Sequence, residues 1–262
     1  MARIEVHKRG PIGEIRLHRP EVLNAMGHEW PEDMLAAAKE MQDDRDIRVV
    51  LLTGEGRTFC SGLDLTQLAR GEIPNRFFHV AEYAFRAMET MDKAVVAGLQ
   101  GHCIGGGLQL AIACDVRIAA EDAVLGLPAV QEAFLPGMGT YRLPRLIGMG
   151  NARHLILSGE NVGAEEAYRI GLVIAVVPKA GLEAELEAWA QRYLEVPRPS
   201  LTWAKRLSNQ SLDLAFEQFV PVFDAAMETV IASDEHQAAR KAWLARVAER
   251  ERRRSAPADQ AR

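Results

Sequence analysis

Apolar and polar residues alternate over Ile4-Glu5-Val6-His7 and again over Ile12-Gly13-Glu14-Ile15-Arg16-Leu17, with Gly10-Pro11 between them. A period of two predicts a pair of strands with one wet face, joined as a hairpin. Arg19-Pro20 stops the second strand. From Gly27 to Asp44 the spacing of Trp30, Met34, Leu35, Ala38 and Met41 is that of an amphipathic helix. Val49-Val50-Leu51-Leu52 is a continuous apolar run, as expected of a strand buried on both faces, and Gly54-Glu55-Gly56 breaks it. Residues 75–91 read as a helix, and Ala94-Val95-Val96-Ala97 as a second buried strand. An apolar helix from Leu108 to about Ala113 and a strand Val116-Arg117-Ile118-Ala119 come next. Beyond Gly150 helical patterns dominate, at 151–158, 164–170, 181–195, 200–210, 212–232 and 234–253, with Val173 to Val177 as the clear strand.

Strands alternating with helices through short connections predict an α/β layered core with right-handed crossovers between parallel strands. Pro197-Arg198-Pro199 marks a break, which divides the chain into a core over residues 1–196 and a helical C-terminal region over 197–262. The final dozen or so residues, with Pro257 and small polar side chains, are expected to fray.

Composition narrows the class. The 262 residues carry a formal charge of −5 and are 48 % hydrophobic, enough apolar surface to order a full core. The sequence pI of about 5.9 argues against a nucleic-acid binder. No apolar stretch is long enough to span a membrane, and Met1-Ala2-Arg3-Ile4-Glu5 lacks the apolar region of a signal peptide. The three cysteines, Cys60, Cys103 and Cys114, are odd in number and lack CxxC spacing, so reduced thiols and a cytoplasmic location are expected. A nucleophilic Cys60 helped by His102 or His79 is the alternative. Charge is uneven: residues 246–262 hold six arginines and three acids, a net of +3, which leaves −8 on the first 245. That end is either a solvated helix terminus or a clamp for a phosphate.

Two segments are suited to hold an anion. Of 21 glycines, 10 fall between Gly98 and Gly150. Thr58-Phe59-Cys60-Ser61-Gly62-Leu63-Asp64-Leu65 follows a buried strand, and Gly101-His102-Cys103-Ile104-Gly105-Gly106-Gly107-Leu108-Gln109-Leu110 opens a helix. A helix start presents unpaired N–H donors, and glycine lets a ligand approach them. Such a place suits a developing oxyanion or a phosphate, though the spacing is neither a dinucleotide fingerprint nor a P-loop. A tight packing turn explains a glycine run equally well.

Taken together and in order, these segments resemble the enoyl-CoA hydratase/isomerase (crotonase) superfamily. Arg19-Pro20-Glu21-Val22-Leu23-Asn24-Ala25-Met26 is similar to its N-terminal R-P-x-x-x-N-A-[LM] block, Phe59 to Leu65 to its F-x-[AS]-G-x-D-[LI], and Gly101 to Asp115 to its G-x-x-x-G-G-G-x-x-L…C-D. Leu125-Gly126-Leu127-Pro128, Arg142 to Gly148 and Ala167 to Val173 resemble the following blocks, so that the likeness spans about residues 4–250. The resemblance implies a crotonase-like spiral of repeated ββα units with a C-terminal helical trimerisation region, assembled as a trimer or hexamer. It implies an acyl-CoA thioester as ligand, with coenzyme A as part of the substrate and no separate cofactor, metal, nucleic acid or membrane partner. It also implies an oxyanion hole from the backbone N–H groups of Leu63 and Gly106, and substrate contacts from Leu23, Ala25, Ser61, Gly62, Asp64, Leu65 and Gly105. Trp243 and Arg246 fall where the family carries an aromatic and a basic residue near the CoA phosphates.

The sequence departs from the family at its acids. The two positions where a hydratase of this kind carries glutamates hold Gln109 and Ala129. Gln109 has no titratable proton and Ala129 no polar group, so the usual hydration, and the isomerisation that uses the second glutamate, lose their acid and base. Glu132 lies three residues beyond Ala129, and on a helix it would share that face as a relocated base; as a surface residue it would not. The loop Pro136-Gly137-Met138-Gly139-Thr140 is one residue shorter than the commoner family loop. Three functions follow: a hydratase/isomerase-like enzyme with altered acid–base groups, a decarboxylase-type enzyme in which loss of CO₂ makes the enolate directly, and a non-catalytic acyl-CoA-binding or assembly protein.

Overall fold

A computed structural model of the chain describes residues 3–255. Of the last dozen or so residues, where fraying is expected, 251–255 instead belong to a helix that ends at Ser255, and 256–262 lie outside the described residues. Two compact units divide between Glu195 and Val196.

In the first unit, β1 (Ile4–Arg9) and β2 (Ile12–Leu17) form the predicted antiparallel hairpin, closing at Arg9 and Ile12. Gly10 takes the turn with φ of 57°. Ile12, Ile15 and Leu17 are buried while β1 stays partly wet. Strands β3 (Val49–Gly54), β4 (Ala94–Leu99), β6 (Val116–Ala120) and β9 (Ala175–Val177) add in parallel, giving the order β1-β2-β3-β4-β6-β9. β4 and β6 are buried at every residue, as their continuous apolar runs require. The helices α1 (Trp30–Asp43) and α3 (Arg76–Thr90) pack together, and α7 (Leu182–Leu194) packs on β3, β4 and β6. Leu186 of α7 sits so close to Gly98 of β4 that a Cβ there would lie 2.5 Å from its methyl group.

A second, small sheet holds β5 (His102–Ile104), β7 (Val124–Gly126) and β8 (Asn161–Gly163) in the order β5-β7-β8. The chain passes from β4 to β5 at Gly101, where φ is 54° and a Cβ would lie 2.2 Å from the Arg57 oxygen. These three-residue strands are too short to show a period in the sequence, so Val173 to Val177 is not the sole strand of the second half. The helix α5 begins at Gly139 rather than at 151 and runs to Ser158, breaking its helical geometry at Gly148. Pro144 and the glycines around it conceal that helix in the sequence. The short helices α2 (Leu65–Ala69) and α4 (Gly106–Ile112) follow the two glycine-bearing segments, and α6 (Ala164–Arg169) follows β8.

The second unit consists of α8 (Arg198–Gln210), α9 (Phe216–Ala232) and α10 (Asp234–Ser255). Phe216, Phe223, Met227 and Ile231 of α9 are exposed, and among the described residues Ala226 is the one buried side chain of that helix. None of the described helices is long and apolar enough to cross a membrane.

Candidate functional site

Three stretches of chain run side by side at the C-terminal ends of β3 and β4. Phe59 N–H donates to the Gln100 oxygen (2.7 Å), Cys60 N–H to that of His102 (2.9 Å) and Ile104 N–H to that of Cys60 (3.0 Å). On the other side, Met26 N–H donates to the Gly62 oxygen (2.7 Å) and Asp64 N–H to that of Met26 (3.0 Å), while Ser61 N–H donates to the Leu23 oxygen (3.0 Å). Segments 23–26, 60–64 and 102–106 are therefore one hydrogen-bonded surface.

Asn24 anchors the first of them. It is 2 % exposed, and its amide N–H₂ donates to the oxygens of Glu55, Thr58 and Phe59 at 2.8–3.1 Å. Its side-chain oxygen accepts from Arg19 N–H at 2.8 Å. Asn24 and Leu23 both hold positive φ, 54° and 56°, a conformation asparagine tolerates and leucine resists. Leu23 is half-buried and Ala25 buried, the Ala25 oxygen accepting from the Arg19 guanidinium at 2.8 Å. Asp64 caps α2 by accepting from Gln67 N–H at 3.1 Å, and lies 3.5 Å from Arg19. It holds the loop in shape. Leu65 is exposed.

The two glycine-bearing segments touch. Gly62 has φ of 93°, and a Cβ on it would stand 2.7 Å from the Ile104 oxygen and 3.2 Å from the Gly106 nitrogen. A Cβ on Gly107 would lie 2.3 Å from the Cys60 oxygen. Gly105 (φ 56°, ψ −116°) precedes α4 with no side-chain cap. Among the described residues, neither the Leu63 nor the Gly106 N–H has a hydrogen-bond acceptor outside the regular elements, and Gly106 is the first residue of its helix. Both residues are partly accessible.

Gln109 lies one turn along α4 from Gly106, on the same face. It is 9 % exposed, and its Oε1 accepts from Gly139 N–H at 3.1 Å. Ala129 and Glu132 are the second and last residues of a 3-10 turn, Pro128–Glu132, rather than of an α-helix, and Glu132 is exposed. Glu82 of α3, which no motif marks, meets the loop before α5. Its Oε1 accepts from Met138 N–H at 3.1 Å, and its Oε2 from Arg142 at 2.8 Å. The α3 periodicity marks only the buried stripe of Phe77, Ala81, Ala84, Phe85 and Met88, so no signal singles out the polar residue beside it.

The cysteines are buried, and Cys60 donates its S–H to the Asn24 oxygen at 3.1 Å. Burial pushes the Cys60 thiol up from 9.0 to about 12, and Cys103 well above its ordinary value. His102 is exposed, and the His79 ring meets Tyr83 edge to face, with centroids 4.9 Å apart. Among the described residues, no histidine side chain pairs with the Cys60 thiol, which burial holds in its protonated form. One group of possible metal ligands occurs among the described residues, Glu5, His18 and Glu55, where the His18 ring already pairs with Glu55. In the second unit Trp243 is 56 % exposed, with the Arg246 guanidinium 5.4 Å from its ring.

An α/β unit of this topology, with two glycine-bearing turns opposed across neighbouring strand ends, defines a crotonase-type fold. The sequence matches the family model of enoyl-CoA hydratase/isomerase over residues 7–251, and the chain belongs to that family. It is 33 % identical over 222 residues to a short-chain-enoyl-CoA hydratase of Clostridium acetobutylicum, covering 81 % of this chain and 85 % of the relative. A crystal structure of an enoyl-CoA hydratase from Bacillus anthracis superposes with a TM-score of 0.87 at 30 % identity, covering 93 % of this chain and 96 % of that one. A putative enoyl-CoA hydratase from Thermobifida fusca in complex with acetoacetyl-CoA superposes with a TM-score of 0.80 at 27 % identity, covering 88 % and 95 %.

Proposed function

We propose that the chain is an acyl-CoA enzyme of the hydratase type, which holds the thioester carbonyl between the Leu63 and Gly106 N–H groups. The observation that supports this reading is the close approach of Gly62 to Gly106, where a Cβ on the first would lie 3.2 Å from the nitrogen of the second, while among the described residues the Leu63 and Gly106 N–H groups have no acceptor outside the regular elements. Two donors aimed at an oxyanion stabilise an enolate-like transition state by roughly 3–4 kcal/mol each. The donors are backbone, so the Leu63 side chain is free to vary. Leu23, Ala25, Ser61, Gly62, Asp64, Leu65 and Gly105 form the walls around that pair. Trp243 and Arg246 suit a CoA phosphate, since the guanidinium binds phosphate in a fork and the indole holds it in place. No cofactor is needed beyond the CoA of the substrate, and the exposed apolar face of α9 fits a trimer or hexamer of a cytoplasmic enzyme.

The test is turnover of purified protein on crotonyl-CoA, longer enoyl-CoAs and malonyl-type CoAs. Hydration of an enoyl-CoA supports the reading. Acyl-CoA binding without turnover on any thioester would replace it with a binding protein. A second reading rests on Gln109 and Ala129: with no acid at either position, decarboxylation of a malonyl-type thioester is favoured, because loss of CO₂ forms the enolate without a base. Release of CO₂ from malonyl-type CoA, with no hydration, would decide for it.

A further inference from the structure

Gln109 and Ala129 cannot move a proton, but a carboxylate stands beside Gln109. Gly137 has φ of 50°, and a Cβ on it would lie 2.6 Å from Gln109 Oε1 and 3.0 Å from Glu82 Oε1. The two side-chain oxygens thus bracket one point on the short loop between the Pro128–Glu132 turn and α5. Leu127, just before that turn, reaches the same place: its methyl group would be 3.0 Å from a Cβ on Gly139. Glu82 therefore lies next to the first position that lacks a glutamate and against the loop that leads away from the second. Glu132, the carboxylate nearest in sequence, is exposed instead.

We propose that Glu82 is the acid–base residue of this site, in place of the two missing glutamates; this rests on the hydratase reading above. The chemistry needs only one carboxylate. Glu82 takes a proton from water as the water oxygen bonds to the β-carbon of the enoyl thioester. The C=C electron pair moves to the α-carbon and the thioester oxygen, where the Leu63 and Gly106 N–H groups hold the charge. Glu82 then returns the same proton to the α-carbon, so one water is added and no other acid or base is consumed. Gln109, one turn from Gly106, accepts from Gly139 N–H and keeps its N–H₂ to orient that water.

Glu82 is equipped for this. Its side chain is 23 % exposed, so water reaches it. Each carboxylate oxygen accepts one protein hydrogen bond and retains a second lone pair. Arg142 is 6 % exposed and shared, its Nε donating to Glu89 at 3.3 Å, so its charge keeps a partner when Glu82 is neutral. The helix places Glu82 by its buried neighbours Ala81 and Phe85, which fix the rotation of α3.

The experiment compares the wild type with Glu82→Gln, Glu82→Asp and Glu132→Ala on the enoyl-CoA that turns over fastest, across pH, with thermal unfolding as a check on folding. Glu82→Gln should lower kcat by about 10²–10⁴-fold with KM changed less than about threefold, and should remove the acidic limb of the pH–rate profile. Glu82→Asp, which keeps the acid one methylene shorter, should recover part of the rate and a displaced limb; Glu82→Ala takes the place of Glu82→Gln if the latter does not fold. Glu132→Ala should leave rate and profile unchanged. Full activity with an unchanged profile in a folded Glu82→Gln or Glu82→Ala protein would overturn the assignment of Glu82 alone. Absence of turnover by the wild type on every thioester would overturn the hydratase reading and this assignment with it.

Discussion

Gly62 lies against Gly106: a Cβ on the first would stand 3.2 Å from the nitrogen of the second and 2.7 Å from the Ile104 oxygen. Two segments about forty residues apart in sequence close on each other because Gly62 lacks a side chain; a Cβ on Gly106 would meet Gly62 Cα at an ordinary 3.8 Å and press instead on Met26 Sδ at 2.6 Å. Gly62→Ala should push them apart and strain a residue at φ 93°, costing about 1–3 kcal/mol of stability and at least about a hundredfold in turnover. Gly71→Ala is the control. Its φ is 71° with nothing within 4 Å of the new methyl, so it should lose stability by strain alone and keep its rate. Thermal unfolding and steady-state kinetics on both variants separate the two effects; equal rates would show that the Gly62 contact does not matter to turnover.

Gln109 is shaped to be exchanged. Gln109→Glu keeps the oxygen that accepts from Gly139 N–H but sets a second carboxylate beside Glu82 in a nearly buried place, so stability at neutral pH should fall by about 1–3 kcal/mol. The new carboxylate would face Glu82 across Gly137, and a like charge raises the pKa of one of the two. Crotonyl-CoA hydration should rise by tenfold or more, with the pH optimum displaced. An unaltered rate at every pH would mean that Gln109 is remote from the reacting carbons.

Lys93 closes the end of α1 from within the core. It is 1 % exposed, and its ammonium donates to the oxygens of Met41, Gln42 (3.2 Å) and Asp44 (2.6 Å). Lys93→Met should leave those carbonyls without their charged donor and cost about 2–4 kcal/mol. Denaturant unfolding measures it, and acyl-CoA affinity of the folded fraction should not change.

Alkaline pH should weaken the fold through Cys60. Its thiol titrates near 12 when folded and near 9.0 when free, so above pH 9 the unfolded chain binds fewer protons than the native one. Stability from this group is full below pH 9 and is lost as pH rises toward 12, by about 1.4 kcal/mol per unit. Cys60→Ala should flatten the decline between pH 9 and 11 in urea titrations. The same burial should keep the native thiol unreactive toward iodoacetamide at pH 8, until denaturant is added.

Much of the fold was legible along the chain. The hairpin, the buried runs at Val49 and Ala94 and the amphipathic stripes of α1 and α3 are local patterns, and period and burial follow directly from them. The glycine segments and the ordered family blocks were legible too, together with the absence of glutamates at positions 109 and 129. Side-chain chemistry is written in the residue itself, so the sequence could already say which groups cannot carry a proton. What only the tertiary structure decided is which groups meet. Glu82 and Gln109 belong to different helices, and no spacing rule relates them; the packing of α3 and the loop before α5 brings them to the same glycine. Asn24, likewise, is an ordinary asparagine until three distant carbonyls converge on its amide. Glu132 shares a turn with Ala129, but that turn is 3-10 and its end is exposed. Local periodicity determines which face of an element is buried, whereas the juxtaposition of polar groups from separate elements depends on loop closure and core packing, which leave no period in the sequence.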